Sequence, residues 1–434
     1  MDLAKAPKLA PFPERNGPPS IVLITMDTTR ADGLGCYGYP LPVSAHVDAL
    51  AEEATIYTRA YSTSSWTLPA HASLLTGKLP SSHGARYDEN GPLMLLDAIA
   101  GPEQLSRYRA RGLGADESSL AEVLRQQGYA TGAVVAGPWM KRVFGLDRGF
   151  EFYDDSDIGN FAGRSGVSVT DSAMAWLDHN GERPFLLLLN YFDVHGPFSV
   201  PAESIPEFLR EGVQGDDLAS VRARYDAGMH YLDAQLGRLF DHLRQRGLYD
   251  DIWIVVTSDH GELLGEQGRF GHGSSLSEAE VHIPLIVKQP GARSGSQRID
   301  TAVQLTDVMP SLLDALGIPA PAGMQGQPFD AIDHPIVAEV YPLPGDSDVG
   351  FWRTLHMDDF KFSESGAGVR SLVNLANDPG EARNLAGERS AMTAALQKRL
   401  ARYLEALPRP SSGGPAVLLD EQTREQLESL GYVK

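Results

Sequence analysis

The stretch Ser20-Ile21-Val22-Leu23-Ile24-Thr25-Met26-Asp27 lacks the polar–apolar alternation of a strand with one wet face. A nearly continuous apolar run predicts a strand buried on both sides, and this one ends on a carboxylate. Two later stretches repeat the pattern. Phe185 to Leu189 runs into Asn190-Tyr191-Phe192-Asp193-Val194-His195-Gly196-Pro197, and Ile252 to Thr257 ends in Ser258-Asp259-His260-Gly261-Glu262. A shorter strand is expected over 130–135 and another buried one over 282–287. Helices are expected over 44–60, over 118–127 closed by Gly128, over 167–179, over 217–246 and over 306–316 closed by Gly317. In the long one, Tyr225, Met229, Leu232, Leu236 and Leu239 recur at helical spacing. Buried strands alternating with helices predict an α/β fold, a large central, mostly parallel sheet flanked by helices.

Around this frame the chain divides into four parts. Residues 1–19, rich in Pro and Lys, read as a flexible tail; 20–335 read as the catalytic α/β domain. Within it, 88–116 carries Gly91-Pro92, Gly101-Pro102 and the cluster Arg107, Arg109, Arg111, and reads as a surface insertion. After Ile336 the segments shorten and alternate, then an amphipathic helix follows over 389–407, predicting a small C-terminal α+β subdomain. Residues 408–434 read as a linker and a C-terminal helix, over about 418–433, that docks back.

Composition narrows the function. At 434 residues and 42% hydrophobic, the chain has material for a sizeable core, and no apolar run approaches the roughly 18 residues of a membrane span. The N-terminus has no apolar signal region, so a cytoplasmic protein is the expectation. The single cysteine, Cys36, excludes an internal disulfide framework. A formal charge of −20 argues against a nucleic-acid partner. It also means that an anionic substrate needs a local positive site, such as a metal ion.

Asp27, Asp193 and Asp259 each follow a buried strand, and in a parallel sheet the carboxyl ends of the strands form the ligand crevice. Asp259-His260 offers adjacent oxygen and imidazole ligands for a divalent cation. In Ser64-Ser65-Trp66-Thr67-Leu68-Pro69-Ala70-His71-Ala72-Ser73-Leu74-Leu75-Thr76-Gly77, Pro69 favours a first helical turn. Thr67 is then a common helix cap or, with a metal beside it, a nucleophile. His195, just past a strand end, and His272, in Phe270-Gly271-His272-Gly273, are candidates for proton transfer to a leaving group.

Taken in order, these segments resemble the sulfatase family, within the alkaline phosphatase superfamily of metal-dependent hydrolases. The resemblance rests on Ile24 to Asp32, the Thr67 segment with Leu74-Leu75-Thr76-Gly77, Asp193-Val194-His195, Ser258 to Glu262, Gly271-His272-Gly273 and Leu375 to Leu385, and spans Ser20 to the C-terminus. It implies a central mixed sheet, a smaller C-terminal sheet and a metal site at the strand ends. By position Asp27, Thr67, Asp259 and His260 match the metal site, Thr67 the nucleophile, and His195 and His272 residues around the leaving group. Asp193, Asn90, His71 and Thr28 complete the set as contacts to the substrate or to a second ion. Manganese, zinc and calcium all remain open, as does the oligomeric state.

The departures from the family decide the expected chemistry. Hydrolytic sulfatases use a formylglycine made from Cys or Ser in a Cys/Ser-x-Pro-x-Arg context; here the segment is Thr67-Leu68-Pro69-Ala70-His71. Oxidising Thr would give a ketone, and Cys36-Tyr37-Gly38-Tyr39-Pro40 lacks the motif. Thr28 stands where many members have a metal-binding Asp, and Gly137-Pro138-Trp139-Met140 stands where many carry a sulfate-binding Lys and His. The expected function is therefore a metal-dependent hydrolase cleaving an anionic small-molecule phosphate or phosphonate ester through a Thr67 covalent intermediate. A sulfatase without formylglycine, a phosphoryl-group transferase and a non-catalytic metal-binding relative are the alternatives.

Overall fold

A computed structural model describes residues 17–215, 217–291, 296–331, 334–343 and 350–410. Most of the expected tail and the C-terminal helix over 418–433 lie outside the described residues. The centre is an eight-stranded sheet: β1 (Ile21–Met26), β2 (Thr55–Tyr57), β3 (Ala130–Val134), β4 (Phe152–Asp154), β5 (Phe185–Tyr191), β6 (Trp253–Thr257), β7 (Leu285–Lys288) and β8 (Gln297–Ile299), in the order β8-β2-β7-β6-β1-β5-β3-β4. β1 lies between β6 and β5 and is parallel to both, with Ile21 beside Trp253 and Leu186. Only β7 opposes its neighbours in this sheet. The mostly parallel sheet expected from the apolar runs is what the chain builds.

Both faces are covered, as those runs require. Ile21 and Leu23 pack into one core with Leu68, Leu74 and Leu75 of α2 (Thr67–Thr76). Val22, Ile24 and Met26 face the other core with Leu232, Leu236 and Leu239 of α5 (Leu218–Gln245). The period of two along the strand meets the 3.6 period of the helices on opposite sides. The expected helix over 118–127 forms as α3 (Leu120–Gln126), where Ser119 and Glu122 make a capping box. The one over 167–179 forms as α4 (Gly166–Asn180), and the one over 306–316 as α6 (Val308–Ala315). At Gly132 a Cβ would meet the Trp176 ring at 2.5 Å, so the glycine lets α4 press onto β3.

Two expectations are corrected. The helix over 44–60 stops early: α1 covers Ala45–Ala51, and Thr55-Ile56-Tyr57 join the sheet as β2. Their β-branched and aromatic side chains suit a pleated, buried strand better than a helix. The strand over 282–287 breaks at Pro284, which has no N–H for the ladder. His282–Ile283 pair with Tyr61 and Ala60 in a separate three-stranded sheet, and β7 begins at Leu285.

The C-terminal part is an antiparallel meander, β9 (Ile336–Val340), β10 (Trp352–Met357), β11 (Phe360–Ser365) and β12 (Arg370–Asn374), with α7 (Ser390–Glu405) against it. Val337, Phe362, Leu372, Leu396 and Leu400 form its core, which Leu79 joins from the large part. Lys361, buried on β11, reaches Glu278 at 3.0 Å and Glu381 at 2.9 Å, and His356 meets Glu278 at 2.9 Å. The insertion over 88–116 makes a small three-stranded sheet. It is more than a surface element, because Tyr108 from it lines the cleft over Thr67.

Candidate active site

The strands bring the site together through their ends. Asp27 follows β1, Asp259 and His260 follow β6, and all three are fully buried. One ligand atom from each lies within 4.8 Å of the others. His260 gives its Nδ1–H to the Gly261 carbonyl at 2.9 Å, which leaves the Nε2 lone pair facing the carboxylates, 3.3 Å from Asp259 Oδ2 and 3.9 Å from Asp27 Oδ1. Burial pushes the His260 pKa down to about 4, so the ring is neutral and can act as a ligand.

Thr67 is the first residue of α2, behind an extended Trp66 that makes no side-chain cap. The hydroxyl is therefore not capping the helix; it lies 3.5 Å from His260 Nε2. One turn on, His71 sets Nδ1 3.0 Å from the Thr67 carbonyl and Nε2 2.9 Å from the Thr25 hydroxyl. Burial lowers its pKa, and a neutral ring donating from Nδ1 and accepting at Nε2 satisfies both contacts. An imidazole thus lies one turn beneath Thr67 at the position where the sequence departs from the family's arginine.

A divalent cation fits this donor set. Asp27 Oδ1 and Asp259 Oδ2 are buried with no hydrogen-bond partner, and among the described residues the only ion-pair contacts of these carboxylates are to His71 and His260. Burial, then the neighbouring Asp259, raises the Asp27 pKa well above the usual carboxylate range. Two carboxylates out of water without a cation are costly, and a metal ion removes the cost.

On the far side of Thr67 a cleft is lined by Trp66, Tyr108, Trp139, Phe161, Phe192, His195 and His272, among others. His195 stacks on Phe192 at 4.0 Å and gives Nδ1–H to the Gly196 carbonyl at 2.6 Å. Burial, helped by His272, holds its pKa well below the ordinary imidazole value. His272 is the opposite case. Burial pulls its pKa down, but Glu262, 3.1 Å from Nδ1, together with Asp259 and Glu280, outweighs this and raises it. The two rings lie 4.9 Å apart, one neutral and one disposed to hold a proton. Among the described residues, no lysine or arginine lines this cleft. A larger cavity of about 570 Å³ opens against the C-terminal meander, but four of its five acids, Asp32, Glu266, Glu278 and Glu381, are already paired with Arg30 or Lys361.

Three sequence candidates turn their side chains to other partners. Asp193 sits on the N-terminus of α4, accepting from the Gly166 N–H at 2.9 Å: Asn190 lies level with Thr25 and Thr257 in the sheet register, which puts Asp193 one residue further out than Asp27 and Asp259. Thr28 gives its hydroxyl to backbone carbonyls of Asp27 and Val194. Asn90 is exposed in a turn, its N–H bonded to Asp88. Two residues escaped the sequence reading. Asn190, beside Thr25 in the sheet register, sets Nδ2 3.5 Å from Asp27 Oδ2 and accepts from the N–H groups of Ala136 and Gly137. Glu262, quoted only as part of a motif, holds His272; the register and the Asp-His-Gly-Glu loop were the available signals.

Comparison with known proteins gives this arrangement its relatives. The sulfatase family profile matches residues 19–318, and that of N-sulphoglucosamine sulphohydrolase, C-terminal, matches 265–409. An ulvan-active sulfatase of Formosa agariphila is 24% identical over 88% of this chain and 81% of its own. An uncharacterized sulfatase of Escherichia coli is 25% identical over 85% of this chain and 83% of its own. Among solved structures, the phosphonate monoester hydrolase of Agrobacterium radiobacter superposes with TM-score 0.70 at 21% identity, over 89% of this chain and 95% of that one. A protein solved with its substrate D-glucosamine-2-N,6-O-disulfate superposes with TM-score 0.72 at 18% identity, over 89% of this chain and 97% of that one. With the family profile covering most of the chain and the fold to match, this protein belongs to the sulfatase family of metal-dependent ester hydrolases.

Proposed function

We propose that this chain cleaves a phosphate or phosphonate ester through a covalent intermediate on Thr67, with a divalent ion held by Asp27, Thr67, Asp259 and His260. The observation that carries the reading is an unmodified threonine hydroxyl 3.5 Å from His260 Nε2, beside two partnerless carboxylate oxygens. The ion, when bound, lowers the pKa of that hydroxyl and offsets the charge of an anionic ester. One nitrogen and two carboxylates suit Mn²⁺ or Zn²⁺ better than Ca²⁺, which takes roughly six to eight oxygens.

Thr67 Oγ, as the alkoxide, attacks phosphorus as the bond to the leaving oxygen breaks. His272, whose protonated form Glu262 favours, gives the leaving oxygen its proton; water then attacks phosphorus, passes one proton to His272 beside His195, and the P–Oγ bond breaks to return Thr67 as the alkoxide. Thr67 lacks the second hydroxyl by which a formylglycine hydrate expels sulfate, so displacement by water at phosphorus is the better match. The free space in the cleft is about 30 Å³, far below that of the cavity against the C-terminal meander. An ester therefore enters by displacing rim side chains, of which Phe161 is 43% exposed.

Sulfate esters are the second reading, favoured by the sulfatase relatives spanning most of the chain. A panel of aryl sulfate, phosphate monoester, phosphate diester and phosphonate monoester with Mn²⁺, Zn²⁺ or Ca²⁺ separates the two. Phosphoryl or phosphonyl turnover that disappears in Thr67→Ala supports the first; robust sulfatase turnover on unmodified Thr67 overturns it. Unchanged metal content in Asp259→Ala would remove the ion from the proposed position.

A further inference from the structure

Thr28 is fully buried and β-branched, yet its φ is 57°, in the left-handed region that such residues avoid. Its hydroxyl is shared between the Asp27 carbonyl at 2.7 Å and the Val194 carbonyl at 3.0 Å. Its amide N–H donates to Asp259 Oδ1 at 3.3 Å, and its carbonyl accepts from the Tyr225 hydroxyl at 3.2 Å. One residue thereby joins the loops after β1, β5 and β6. The Val194 carbonyl belongs to the peptide that carries the His195 nitrogen, and that nitrogen donates to Phe192 at 3.0 Å. Rotation of this peptide would move the imidazole off the Phe192 ring.

We propose that Thr28 is a positioning residue whose hydroxyl is a strut between the metal-binding loop at Asp27 and the leaving-group loop at His195. The inference rests on the reading in which His195 serves the leaving-group side of the site. Conformational preference and function pull in opposite directions here. Glycine would relieve the backbone but remove the strut; serine would keep the strut; valine would keep the shape without the hydroxyl. Stability and catalysis are therefore expected to separate across the series, as they would not for a residue that only supports the fold.

The test compares Thr28→Ser, Thr28→Val and Thr28→Gly in the full chain. Thr28→Ser should keep kcat within about threefold, whereas Thr28→Val and Thr28→Gly should lose on the order of tenfold in kcat with KM and bound Mn²⁺ stoichiometry unchanged. The Tm of Thr28→Gly should stay within about 3 °C of the parent despite that loss. Histidine-selective NMR, with His195 assigned through His195→Gln, reads the strut directly. The His195 ring resonance should move in Thr28→Val and return in Thr28→Ser. A His195 resonance and kcat unchanged in Thr28→Val would overturn the proposal, as would a kcat that merely tracks the folded fraction. If the parent turns over no ester in the panel, the reading of the site fails, while the NMR shift still decides the strut.

Discussion

Glu262 and His272 show how one contact sets the chemistry of a residue. The Glu262 carboxylate is buried beside Nδ1 of His272, and Arg30 holds the loop by donating to the Glu262 carbonyl at 3.1 Å. A proton donor works below its pKa and fails above it, so raising the His272 pKa extends activity towards higher pH. Glu262→Gln should move the alkaline limb of the kcat profile to lower pH and reduce kcat by about tenfold or more, as a pH–rate series on the Mn²⁺-loaded enzyme would read. An unmoved limb would give the proton to another group. At this scale the sequence exposes part of the site and conceals the rest. Asp27, Asp259 and His260 are legible because a buried apolar run stops at each. Asp193 has the same signature, yet serves a helix, because the sheet register sets it one residue beyond the level of Asp27 and Asp259, where its carboxyl meets Gly166. Asn190 hides inside the apolar run itself, where an amide is easily read as a tolerated core polar group.

Among the elements, α4 carries the clearest cost. Asp193 caps it with one oxygen at Gly166 while the other, Oδ2, is buried without a partner, and burial raises the carboxyl pKa to about 6. A folded pKa above the unfolded value means that the folded state binds more protons between about pH 4 and 6. Stability is then greatest below that window and falls as pH rises through it. Asp193→Asn keeps an acceptor for the Gly166 N–H and removes the ionisation. Denaturant melts should show it more stable than the parent at pH 7, by on the order of 2–3 kcal/mol, with the gain vanishing near pH 4. A variant less stable than the parent at pH 7 would mean that the charge on the helix N-terminus is worth more than its burial costs. The helices themselves were the most legible elements, since the caps at Ser119 and Asp217 and the repeat along α5 lie in the local sequence. The early stop of α1 and the break at Pro284 have local signals in Thr55-Ile56-Tyr57 and in the proline, but which sheet each short strand joins depends on its neighbours, and local pattern does not carry that.

For the whole molecule, the joint between the large part and the C-terminal meander rests on Lys361. This ammonium is 1% exposed between Glu278 and Glu381, whose side chains keep only 15% of their exposure. Lys361→Met should cost roughly 3–5 kcal/mol by leaving them uncompensated, seen as a lower Tm and a smaller denaturant midpoint. Removing all three charges together should cost much less, and a double-mutant cycle would report the difference. No described helix is long and apolar enough to cross a membrane. The net charge of −20 keeps the requirement for a local cation in place, since an anionic ester must approach against the field of the protein.

Acid-quenched mass spectrometry of the peptide spanning Ser64 to Gly77 tests the proposed covalent ester on Thr67 directly. The resting enzyme should show unmodified threonine at 67, and enzyme quenched during turnover should show the same peptide heavier by the transferred phosphoryl or phosphonyl group. Turnover with no adduct on that peptide, or turnover that persists in Thr67→Ala, would contradict it.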